Sequence, residues 1–177
     1  AMRRLLEETH RSLFDEGIMF STLIPAEDWL KGYYARSGYA TCFRYGVLKK
    51  VINSYEQPVN NSVSYLKMSK IDLLKNPEKT IYPYFNEQMN RRSCCIQHTF
   101  DDFHAVLSDL VLSKGDIWTI YKGDVLSGLI FCLMQEKTIS VKEILLSDEA
   151  DLTVVLHQLA AFYQAETMTC ILPFAAE

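Results

Sequence analysis

The sequence predicts an α+β fold, and three stretches carry that prediction. The first is residues 17–39, GIMFSTLIPAEDWLKGYYARSGY, where an apolar run, a proline, an apolar helical stripe and a glycine follow in turn. The second is residues 117–146, where three apolar runs are joined by Lys122-Gly123-Asp124 and Gln135-Glu136-Lys137, both short hairpin-type turns. The third follows at once: a helix-periodic segment over 149–166, then a last apolar strand over 168–174.

In chain order, residues 2–16 read as a helix with Met2, Leu5, Leu6, Thr9 and Leu13 as its buried stripe, ended by Gly17. Residues 18–24 are a strand candidate that Pro25 stops. Ala26, Trp29, Leu30, Tyr33 and Tyr34 then fall at i, i+3, i+4, i+7 and i+8, one face of a helix. Gly38 suits the left-handed residue after its last turn. Residues 39–52 alternate as an extended stretch that Gly46 is expected to turn. NSYEQPVNNS, residues 53–62, is polar with one proline and reads as a linker between a domain over 1–52 and a second over 63–177. A strand is expected over 63–68, and a helix over 82–90 after a mixed region broken by Pro77 and Pro83. Thr99 with Asp102 three residues on reads as a capping box opening a helix, with Phe100, Phe103, Leu107, Leu110 and Val111 on its apolar face and Gly115 at its end. In the segment 149–166, Leu152, Val155, Leu156, Leu159 and Tyr163 share one face.

Composition narrows the function classes. Hydrophobic residues make up 49% of the 177 and charged residues 23%, the balance of a folded globular chain. Net charge is −4 and no basic stripe appears, so nucleic acid is not an expected partner. The longest apolar run, residues 125–134, is interrupted by Ser127 and Gly128 and is far short of the roughly 20 residues that cross a bilayer, so no membrane partner is expected. Cys42, Cys94, Cys95, Cys132 and Cys170 are odd in number and irregularly spaced, which reads as small buried hydrophobes in a reducing, cytoplasmic setting. Cys94-Cys95, His98 and His104 lie close together but lack Cys-x-x-Cys spacing, so no metal site is expected, and a Cys95–His98 nucleophile pair has no orienting third group. His157 points away from the stripe of its helix and reads as solvated.

Tyr33-Tyr34-Ala35-Arg36-Ser37-Gly38-Tyr39 resembles the Phe/Tyr-Tyr-x-x-x-Gly-Phe/Tyr motif of the GCN5-related N-acetyltransferase (GNAT) superfamily. The wider FSTLIPAEDWLKGYYARSGY looks most like the Eis-type acyltransferases, which join two GNAT-like domains in tandem. The resemblance implies the acyl-CoA N-acyltransferase fold: a partial first core, then a second, degenerate one. It implies acetyl transfer from acetyl-CoA to the amine of a small molecule or peptide. It also implies that the helix over 2–16 follows a pyrophosphate-binding loop, Arg/Gln-x-x-Gly-x-Gly/Ala, whose amides and helix N-terminus take the coenzyme diphosphate. That places part of the first core ahead of this chain, as a fragment or through a late gene start; both readings stand.

By the same resemblance Tyr34 is the acid that protonates the departing thiolate; a phenol of pKa about 10 is protonated at neutral pH. Met2, Arg3 and Arg4 fall beside the diphosphate, Arg36 within reach of a coenzyme phosphate, and Ser21 and Thr22 on the strand flanking the acetyl channel. Phe20 and Trp29 are candidate walls of an acceptor pocket. Periodicity alone equally reads Tyr33 and Tyr34 as a core face, the arginines as solvated, and Phe20 and Trp29 as core aromatics. In the second half Ser147-Asp148-Glu149-Ala150-Asp151 brings carboxylates and neither glycine nor arginine to a helix start, which repels a diphosphate. That half is expected to leave coenzyme A unbound, pack on the first and shape the acceptor site. A different reading makes the chain a non-catalytic, oligomerising or partner-binding module, and an exposed edge strand suits a homodimer.

Overall fold

A computed structural model describes residues 2–42, 45–52, 66–75, 77–92 and 95–173. Packing divides the chain into residues 1–43 and residues 44–177.

The first unit holds two helices, α1 (Met2–Asp15) and α2 (Leu30–Ala35). Both end in one device. Gly17 at φ 81° follows α1, with Gly17 N–H donating to Phe14 O and Ile18 N–H to Leu13 O. Gly38 at φ 92° follows α2, with Gly38 N–H donating to Ala35 O and Tyr39 N–H to Tyr34 O. These paired bonds around a left-handed residue are the Schellman pattern, and only glycine enters it without a Cβ penalty.

Three expectations for this unit fail. The stripe of α1 is not buried: Met2 and Leu5 are each 57% exposed and no residue of the helix is enclosed. Residues 18–24 form no strand, because a strand is completed by a neighbour and none pairs with them among the described residues. The second helix is shorter than its periodicity suggests: Leu30 N–H to Glu27 O and Lys31 N–H to Asp28 O make tight turns before it, so Ala26 lies outside and Trp29 is its first cap.

The second unit is one six-stranded sheet with helices on both faces. Its strands are β1 (Tyr45–Val51), β2 (Leu66–Lys70), β3 (Asp116–Lys122), β4 (Val125–Gln135), β5 (Thr138–Leu146) and β6 (Thr167–Pro173). Its helices are α3 (Glu78–Asn90), α4 (Phe100–Leu112) and α5 (Leu152–Tyr163). The order is β1-β6-β5-β4-β3-β2, with β5 and β6 parallel and the other neighbours antiparallel. Alternation along the strands supplies two cores. Trp118, Ile120, Ile130, Cys132, Ile139 and Val141 meet Val155, Leu156 and Leu159 of α5. Ile117, Leu129, Phe131 and Leu145 meet Phe85 of α3 and Phe103 and Leu107 of α4. Ile144 shares the α5 face with Val141 because the register shifts by one residue at Phe131/Cys132, leaving Lys142 as the extra residue of a bulge.

The hairpins, β5, α4 and its capping box stand where the sequence puts them: Thr99 accepts from the Asp102 amide at 3.1 Å, and Asp102 accepts from the Thr99 amide at 2.9 Å. Four boundaries move. Gly46 does not turn the chain; it lies inside β1 opposite Leu172, and Tyr39 to Cys42 stay outside any strand. Because β1 pairs along its length with β6, it packs with the second unit, while the expected linker 53–62 lies outside the described residues. Pro77 caps α3, and Pro83 sits on the exposed side of the helix, where its missing donor is tolerated, so the helix begins at Glu78. Helix α5 stops at Tyr163, after which Gln164 takes the left-handed conformation at φ 51°.

Candidate active site in the first unit

The two Schellman turns fold the first unit back on itself, so that α1, residues 18–21 and residues 37–39 enclose a cleft of about 430 Å³. The Tyr39 hydroxyl is its hub. It lies 2.9 Å from His10 Nε2 and 2.8 Å from Ser21 Oγ, all three lining the cleft. The Tyr39 ring tilts against His10 at 5.3 Å and meets the Tyr34 ring edge-on at 5.7 Å.

Of the residues singled out from the sequence, Ser21 and Phe20 line this cleft, Phe20 with 85% of its surface exposed. Tyr34 is half-buried, edge-on between Tyr33 and Tyr39, and is not sealed among apolar side chains. Trp29 is 68% exposed and lies outside the cleft, and Thr22 is exposed. Arg36 stacks its guanidinium over Tyr33 at 5.7 Å. Met2, Arg3 and Arg4 form an exposed first turn; Arg3 pairs with Glu7 at 3.1 Å and Arg4 with Glu8 at 2.9 Å. Sequence reasoning missed His10 and Tyr39. His10 is four residues after Leu6 and three before Leu13, on the edge of the apolar stripe, and Tyr39 is the final aromatic of the motif.

The fit to an acyl-coenzyme can be tested on two features. The first turn of α1 carries two arginines and no acid, which suits an anion at its positive end. Residues 19–24 belong to no helix or strand, and their backbone groups join no ladder among the described residues, so they suit the amide groups of a pantetheine arm. Both fit.

The second unit is arranged differently. Strands β5 and β6 pair only from Thr138↔Thr167 to Val141↔Cys170. Beyond that point Arg92 forks onto Glu143, with both bonds at 2.9 Å, and donates to Ile144 O at 2.9 Å. Before α5, Asp148 accepts from the Ala150 amide at 3.0 Å, while Lys122 bridges Asp151 at 2.6 Å and Asp148 at 3.1 Å. Hydrogen bonds to Asp151 and Asp148 push the Lys122 ammonium up, and Lys122 and the Ala150 amide hold Asp148 below the usual carboxylate range. The helix start therefore already holds its own carboxylates. Tyr84 meets Ser147 at 3.0 Å, and burial raises its phenol.

Other groups are structural. Tyr163 donates to Asp116 and accepts from Trp118 Nε1 at 3.1 Å, tying the end of α5 to β3; burial, then Asp116, raises its phenol. Burial pushes the Cys132 and Cys170 thiols up to about 11. Cys95 Sγ donates to Met89 O at 3.2 Å, and His104 Nδ1 lies 2.9 Å from Glu78 Oε1. His157 is not simply solvated: its Nε2 lies 3.2 Å from Lys50 Nζ in a cleft of about 200 Å³. Among the described residues no cluster of metal-ligating side chains occurs, and no helix is long and apolar enough to cross a membrane.

No family model matches the sequence, and no curated protein matches it. Solved structures do match. A conserved protein from Enterococcus faecalis V583, described as a probable N-acyltransferase, superposes with a TM-score of 0.70 at 12% identity over 98% of this chain and 43% of its own. A GCN5-related N-acetyltransferase from Anabaena variabilis gives 0.68 at 15% identity over 98% and 43%. One from Kribbella flavida gives 0.54 at 13% identity over 99% and 40%. The chain thus spans less than half the length of each. With a mixed sheet, a parallel β5–α5–β6 crossover and these neighbours, the chain has the acyl-CoA N-acyltransferase fold of the GCN5-related type.

Proposed function

We propose that this chain is part of an acetyl-CoA-dependent N-acetyltransferase of Eis-like tandem type, acting in the cytoplasm on the amine of a small molecule or peptide. The observation that carries this reading is the polar cleft of the first unit, with Tyr34 packed edge-on against its hub Tyr39. The first turn of α1 with Met2, Arg3 and Arg4, together with Arg36, holds the coenzyme phosphates; Ser21 and Thr22 flank the acyl arm; Phe20 and Trp29 border the amine. The bound thioester supplies an activated acyl carbon. Tyr34 delivers its phenolic proton to the thiolate as the carbon–sulfur bond breaks, a step that a neutral donor performs without burying a new charge.

The second unit acts as scaffold and leaves coenzyme unbound, because Arg92 is already committed to Glu143 and the Ile144 carbonyl on β5, and Asp148 already takes the Ala150 amide at the helix start. The exposed apolar surface of the first unit suits a homodimer. Calorimetric titration with acetyl-CoA, followed by release of coenzyme A with polyamine and peptide amines, tests the reading. Tyr34→Phe is expected to lower kcat by about 100-fold or more with acetyl-CoA affinity retained. Wild-type turnover in that variant removes the acid role, and no binding of acetyl-CoA removes the enzyme.

A further inference from the structure

We propose that Ser21, Tyr39 and His10 form a proton relay that carries away the proton of the acylated amine, with His10 as terminal base. The proposal rests on the N-acetyltransferase reading and names the base which that reading leaves open. Three hydrogen-bonding groups are strung through one cleft: Ser21 Oγ to Tyr39 OH at 2.8 Å, and Tyr39 OH to His10 Nε2 at 2.9 Å. Exposure falls along the chain, from exposed Ser21 to half-buried Tyr39 and His10, so protons enter from the open side and come to rest further in.

Tyr34 takes no part in this string. It meets the Tyr39 ring by its edge, and no bond joins its hydroxyl to the relay. The acid and the relay are thus two separate carriers, which a reaction that delivers one proton and removes another requires. Two members of the relay are placed by backbone turns: Ser21 follows the Gly17 turn and Tyr39 the Gly38 turn. The charged groups nearest His10 on its own helix are Glu7, paired with Arg3, and Arg11; residues 18–21 and 37–39 add only Tyr39 as a titratable group.

The step balances. The amine nitrogen forms its bond to the acyl carbon, and the carbon–sulfur bond breaks. The thiolate takes the Tyr34 proton, while the nitrogen loses its proton to Ser21 as Ser21 passes its own to Tyr39 and Tyr39 its own to His10. The imidazolium returns its proton to water, and Tyr34 is reprotonated from water.

Nitrogen-15 NMR of the full chain reads the relay without turnover. His10 is expected to carry its neutral-state proton on Nδ1, since Nε2 accepts from Tyr39, and Tyr39→Phe should shift the population toward the Nε2–H tautomer. In the acetylation assay His10→Gln is expected to lower kcat by about 100-fold, leave acetyl-CoA KM unchanged and erase the acid-side ionisation from the kcat/KM profile. Ser21→Ala should be slow and Ser21→Thr should recover, with unfolding midpoints confirming that each variant is folded. An Nε2–H tautomer indifferent to Tyr39→Phe, or a pH profile unchanged in His10→Gln, overturns the relay alone. A wild-type chain that acylates no amine overturns the relay and the parent reading together.

Discussion

The two units make opposite use of aromatic and aliphatic side chains. In the first, Phe14, Met19, Phe20, Ile24 and Trp29 are 68–90% exposed, and no described residue is buried. In the second, Phe103, Ile117, Leu129, Ile130 and Leu159 are all 0% exposed. The difference teaches where stability and chemistry reside. Burial free energy, roughly 25 cal/mol per Å² of apolar surface, accrues in the second unit. The first is held by two glycine turns and one hydrogen-bonded hub, and keeps its polar groups reachable.

Core truncation is the hardest test of that contrast. Phe103→Ala should lower unfolding free energy by about 3–5 kcal/mol, whereas Phe20→Ala should stay within about 0.5 kcal/mol. Equal losses in urea titrations would erase the distinction. Ion pairs give the next largest effect. The side chains of Arg92 and Glu143 are 20% and 29% exposed, and Arg92→Ala also strips a donor from Ile144 O, for an expected loss of about 1–3 kcal/mol. Arg4→Ala breaks a pair whose side chains are 85% and 58% exposed and should cost under about 0.5 kcal/mol.

Acid sensitivity gives the smallest effect. The Asp148 carboxyl lies below its ordinary 3.8 in the folded chain, so its stabilisation is present above that value and fades as pH falls through the lower folded value. Asp148→Asn should therefore flatten the acid limb of a stability-against-pH curve without altering it near neutrality in shape. A limb as steep as the wild type's would place the sensitive carboxylates elsewhere.

Much of the second unit was legible because its signals are local. Hairpin turns, the Thr99–Asp102 box and inward alternation in β3 to β5 each act over a few residues. What escaped depends on partners distant in sequence. Gly46 reads as a turn until Leu172 is seen opposite it, and residues 18–24 read as a strand although apolarity alone supplies no ladder. Pro83 reads as a breaker, yet an exposed helix face tolerates it. In the site, Ser21 and Tyr34 came from motif wording, whereas the bond between His10 and Tyr39 spans two turns of chain that only the Gly17 and Gly38 geometry brings together.

The pairing of β1 with β6 also sets a timetable. Tyr45 lies opposite Pro173, so β1 must wait, unpaired, until β6 has left the ribosome. The hairpins β3–β4–β5 can assemble first through short-range closure, and β6 then recruits β1 in a slower, long-range event. During that wait Val47 and Val51, 61% and 63% exposed even when paired, present an adhesive edge, so chaperone dependence during synthesis should be governed by β1 rather than by the sheet's interior.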